Sequence, residues 1–131
     1  MSVKRRDERG EIATTLLVAP TLFLLIMTVF QFALIAHARN VAEAAAQEAV
    51  ASASTFDGTA ADGQASATAA LDTLGPRMLT NRTVDVDRSA TTVTVSVTGT
   101  PLSFIPFLKP TIVETSTGPI ERYVAPESDV P

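Results

Sequence analysis

The side chains able to do chemistry are few and scattered. The sequence holds one histidine, His37, and no cysteine, which excludes thiolate nucleophiles, thiolate metal sites and disulfides. His37 closes a long apolar run with no acid or nucleophile spaced to pair with it, and reads as an interfacial residue rather than a general base. Asp85 and Asp87 share one face of an alternating segment, where two carboxylates could bind a hard cation. A solvated strand face has the same pattern, so no metal is expected there. Gly-rich phosphate loops, zinc-ligand spacings and nucleophile elbows are missing from the sequence. The expectation is a protein that is not an enzyme, with no catalytic residue, no metal and no cofactor.

The elements that would carry any other function are set by where charge and apolar bulk fall. The net charge is −4, yet the first eleven residues hold four basic and three acidic side chains. From Arg39 onward there are six basic and eleven acidic ones, a balance of −5. An acidic downstream part without a basic stripe argues against nucleic acid as a partner.

Between Glu11 and Arg39 there is no Asp, Glu, Lys or Arg. About 20 apolar residues cross a bilayer core as a helix, so residues 12–36 read as a transmembrane helix and membrane lipid as a partner. Thr14, Thr15, Thr21 and Thr28 can return their hydroxyls to the preceding turn, at little cost in lipid. Pro20 removes one backbone hydrogen bond and marks a helix kink. Lys4, Arg5, Arg6 and Arg9 lie before the run and Arg39 alone after it. The positive-inside rule then places the N-terminus in the cytoplasm and the C-terminus outside. A cleaved signal is the rival reading, with Ala36-His37-Ala38 as its small-residue site, but the run is longer than a signal core.

No helix breaker follows until Gly58, so the span continues outward as an Ala-rich helix to about Ser54. Arg39, Glu43 and Gln47 stand at i, i+4 spacing, with an Arg39–Glu43 ion pair expected. Val41, Ala45 and Ala49 share another face. Either that face packs on the chain's own domain, or its small residues admit neighbouring subunits. A second helix is expected from about Asp62 to Leu74, ended by Gly75-Pro76. Period two then takes over: Val84 and Val86, then Val93, Val95 and Val97, alternate with polar residues as an antiparallel hairpin with one buried face. Ile112–Thr117 and Ile120–Val124 read as a third strand or a bent pair. Between them, the apolar loop 101–110 carries Phe104, Ile105, Phe107 and Leu108. Folding back over the sheet is its default, and an exposed patch touching lipid or a partner is the alternative.

The expected architecture is α+β: a long N-terminal helix and a short second helix packed on a small antiparallel sheet of three to four strands. Its divisions are a cytoplasmic basic leader at 1–11, the transmembrane helix at 12–36, an extracytoplasmic domain at 37–124, and a disordered tail at 125–131.

Arg9-Gly10 opening the helix, Pro20 ten residues on, His37-Ala38-Arg39 and then Ala44-Ala45-Ala46-Gln47-Glu48-Ala49 together resemble the TadE-like pseudopilin family of Tad (tight adherence, type IVc) pilus systems. The downstream Val/Thr strands, the Pro-punctuated loop and the Gly118-to-Tyr123 close look like actinobacterial members. The resemblance implies a minor pilin-like subunit of the cytoplasmic membrane, supporting pilus assembly. Its partners would be other pilin-like subunits and the pilus assembly platform, and some members are processed by a prepilin peptidase. Here that cut would fall between Gly10 and Glu11. Members commonly carry Glu as the fifth residue after that glycine; here the position is Thr15. The other functional reading is a membrane-tethered binding or adhesion module outside any pilus.

Overall fold

Alanine enters a helix at less free-energy cost than any other residue, and an unbroken helix joins the apolar run to the Ala-rich stretch. The computed structural model describes residues 3–126, with side chains from Asp7 onward. Helix α1 runs Val3–Ala53, so the described part of the basic leader is helical as well. Most of the tail expected at 125–131 lies outside the described residues, and Ala125 and Pro126 carry no regular secondary structure. The chain divides into two compact units between Ala33 and Leu34. Among the described residues the first holds α1 as far as Ala33 and no other element.

The second unit contains the rest of α1, helix α2 (Ala60–Leu74) and strands β1 (Leu79–Arg88), β2 (Thr92–Pro101) and β3 (Ile112–Pro119). The strands form one antiparallel sheet in the order β1-β2-β3. The α+β expectation holds, with three strands. Ile120–Val124 is not a strand: β3 ends at Pro119, whose ring has no N–H to extend a ladder. Beyond it the Ile120 amide donates to the Thr91 carbonyl at 2.9 Å and the Glu121 amide to the Ser54 carbonyl at 2.8 Å.

Helix α2 starts two residues before the expected Asp62. Thr59 is its N-cap: the Asp62 amide donates to Thr59 Oγ1 at 3.2 Å, and the Thr59 amide donates to Asp62 Oδ2 at 2.9 Å. This reciprocal capping box satisfies two amides that have no partner inside the helix. At the other end the Gly75 amide donates to the Leu71 carbonyl at 3.1 Å.

The valines pair as their alternation requires, Val84 opposite Val97 and Val86 opposite Val95. Thr80 faces Thr100 while Thr83 faces Thr98, so β1 carries one extra residue there. Asn81 absorbs it at φ 50°, a left-handed conformation that Asn tolerates. The bulge shifts the parity of β1, so that Leu79 and Val84 both face the core despite their odd spacing. Beneath the sheet lie Leu71 and Ala67 of α2 and the alanines of α1. The two helices approach closely because Gly63 has no side chain: a Cβ there would stand 2.9 Å from Ala53 Cβ and 3.1 Å from the Ala49 carbonyl oxygen. On the opposite face of the sheet hydroxyls form a ladder, with Thr94 to Thr117 at 3.3 Å and Ser96 to Thr115 at 3.1 Å.

Candidate functional site: the span, the alanine face and the apolar loop

Three surfaces remain for function once catalytic chemistry is set aside: the apolar helix, its Ala-rich continuation, and the 101–110 loop. In the first unit the most apolar stretch of α1 has none of its residues buried. Leu17, Leu22, Phe23 and Leu25 all stand exposed, and at about 100° per residue they point to all sides of the axis. A helix apolar on all sides belongs in lipid, not on a protein surface. Each threonine of the run donates its hydroxyl to the carbonyl four residues earlier: Thr14 to Gly10 at 2.7 Å, Thr15 to Glu11 at 2.9 Å, Thr21 to Leu17 at 2.6 Å and Thr28 to Leu24 at 2.8 Å. No hydroxyl of this set is left to seek water, which hydrocarbon does not supply. The helix runs on through Pro20, although Pro20 has no amide hydrogen to return to the Leu16 carbonyl. Gln31, a polar residue within the run, is 1% exposed.

In the second unit Val41, Ala45 and Ala49 are buried, together with Ala38, Ala42, Ala46 and Ala53. They lie in the same core cluster as Ala67, Leu71 and the β2 valines. The face that could have met neighbouring subunits is therefore used by the chain's own domain, because small side chains let α2 and the sheet come close to α1. The expected Arg39–Glu43 ion pair is not formed. Glu43 instead accepts a hydrogen bond from Gln47 Nε2 at 3.2 Å. Among the described residues the ion pair is Arg82–Asp72, at 2.8 Å.

The loop does not cover the sheet. Phe107 is 95% exposed and Phe104 61%, Leu108 is exposed, and Ile105 is half-buried. With the helices already on the inner face and hydroxyls on the outer one, the sheet leaves the loop no apolar surface to cover. The loop is instead held by its own hydrogen bonds. Ser103 Oγ donates to the Ile105 carbonyl at 2.9 Å, the Ile105 amide donates to Ser103 Oγ at 3.2 Å, and the Leu108 amide donates to the Ile105 carbonyl at 3.1 Å.

Residues 15–51 match the family model described as TadE-like protein. Over those residues the long helix is similar to that family. The match takes in most of the apolar run and nearly all of the Ala-rich continuation, and stops two residues short of the end of α1. No curated protein and no solved structure matches the chain.

Gly10 and Glu11 lie just before the matched residues, inside α1. A Cβ built on Gly10 would meet nothing within 4 Å, so packing does not require glycine there. Glycine inside a helix costs about 1 kcal/mol relative to alanine, so α1 is weaker at Gly10 than at its neighbours. His37, Asp85 and Asp87 are exposed, on α1 and on the outward face of β1. Among the described residues no group of three or more His, Asp or Glu could hold a metal ion.

Proposed function

We propose that this chain is a minor, pilin-like membrane subunit that supports assembly of a Tad (type IVc) pilus. The observation that carries this reading is the TadE-like match over residues 15–51, which joins span and outward helix in one segment. The role is structural: the span anchors the subunit and its α+β domain is presented outside the cytoplasmic membrane. The basic side chains before the run and the single Arg39 after it support a cytoplasmic N-terminus. Lateral packing on other pilin-like subunits and the assembly platform falls to the apolar side chains of the span, since Val41, Ala45 and Ala49 are buried at home.

A prepilin peptidase cutting between Gly10 and Glu11 would remove the basic leader and free an amine at the cytoplasmic edge of the span. Mass spectrometry of the native N-terminus tests this, with Glu11 as the expected first residue. A start at Met1 or Ser2 would overturn processing while leaving an anchored subunit. A start at Arg39 would overturn the anchor itself. The pilus role is tested separately, by extracting native membranes in mild detergent and capturing the chain. Other pilin-like subunits should accompany it, and a chain that is always captured by itself would sink the proposal.

A further inference from the structure

The ends of the outer domain are not equivalent. One end is marked by the last residues of α1: the Arg88 side chain donates to the Ala53 carbonyl, the Glu121 amide to the Ser54 carbonyl, and Gly118 faces Val50. The other end gathers the first α1 residues of this unit. Gly75 faces Val41 and Met78, and Gly99 faces Leu79. The apolar loop leaves β2 at Pro101 and enters β3 at Ile112, so it stands at this second end, tied there by the Leu102 amide on the Met78 carbonyl at 3.0 Å. The apolar run closes at Ala36, among the first α1 residues of this unit, so along the chain this end adjoins the span.

We propose that the 101–110 loop is a second membrane contact, with Phe104, Phe107 and Leu108 entering the headgroup region of the bilayer that holds the span. The inference rests on reading the apolar run as a membrane span. Two observations commit it to lipid. Phenylalanine side chains stand exposed at the end of the domain from which the span departs. The cations Arg39, Arg77 and Lys109 occur at that same end and are exposed, and would meet anionic headgroups. At the far end, Phe56 lies against the Tyr123 ring at a centroid distance of 6.0 Å.

The protein has no tryptophan, so single-tryptophan variants of the full chain can report depth. F107W, F23W and F56W are each reconstituted into phosphatidylcholine–phosphatidylglycerol vesicles, with and without lipids brominated near the top of the acyl chains. F107W should emit to the blue of F56W and be quenched roughly twofold or more, because interfacial side chains lie about 5–10 Å into the headgroup–acyl boundary. F23W reports the span and should be quenched as well; F56W should not. Since Phe107 is almost wholly exposed, its replacement leaves the core untouched, and F104W repeats the measurement at an independent position. Quenching of F23W with F107W and F104W no more quenched than F56W overturns the loop contact and leaves the span standing. Emission from F107W that is blue-shifted but unquenched assigns the loop to a protein partner and likewise overturns it. An unquenched F23W overturns the span reading on which the inference rests.

Discussion

Arg88 Nε donates to the Ala53 carbonyl at 3.0 Å, across 35 residues of sequence. The last turn of α1 has no basic side chain of its own, and its terminal carbonyls carry partial negative charge without an intrahelical partner. The end of β1 supplies the missing cation. The hairpin is thereby tied to the helix that carries it.

Replacing Arg88 with alanine should destabilise the outer domain by about 1–2 kcal/mol, the range for a charge-assisted hydrogen bond at a helix C-terminus. Lysine at this position should recover only part of the loss, because its ammonium lacks the directed Nε–H. Thermal unfolding of the full chain in mild detergent, followed by circular dichroism, measures both. A domain of this size loses about 4–8 °C in Tm for each kcal/mol.

Gly63 separates two opposing effects. Alanine within a helix is favoured over glycine by about 1 kcal/mol, yet its Cβ would press on the Ala53 Cβ and on the Ala49 carbonyl oxygen, which belongs to backbone and cannot rotate away. Overpacking of this kind costs about 1–3 kcal/mol, so Gly63→Ala should be mildly destabilising. Gly63→Val adds bulk and loses the propensity gain; it should destabilise by at least about 2 kcal/mol. Unfolding midpoints in the order wild type, alanine, valine are expected. A valine variant as stable as wild type would mean the two helices do not meet at this glycine.

The capping box predicts a smaller and chemically specific effect. Thr59→Ala should destabilise α2 by about 1 kcal/mol, while Thr59→Ser, which keeps the accepting oxygen, should cost much less. Native-state amide exchange reads this locally: protection at Asp62 and its neighbours should fall in the alanine variant and be kept in the serine variant.

Much of the fold was legible because it depends on local pattern. The charge-free run, the Ala-rich continuation and the alternating valines each obey one period, and each formed the element that period demands. The failures have a common cause in partners remote in sequence. Nothing near Asn81 announces the bulge that turns Leu79 inward. Ile120–Val124 has strand-like residues, but Pro119 ends the ladder and two amides are claimed by Thr91 and Ser54. Asp62 looked like a helix start and is the N3 residue of a capping box; the Thr-x-x-Asp spacing was the available signal.

The candidate surfaces divide along the same line. By itself the sequence determined that residues 12–36 form an apolar run and that an Ala-rich helix continues beyond it, because composition alone sets transfer into lipid and helix propensity. Only the tertiary structure decided which face of that helix remains for partners. Val41, Ala45 and Ala49 could have served either a neighbour or the home domain, and close approach by α2 and the β2 valines buried them at home. The same packing left Phe104 and Phe107 without a sheet to cover. A side chain's type states how much it gains from leaving water; the surfaces that reach it first decide where.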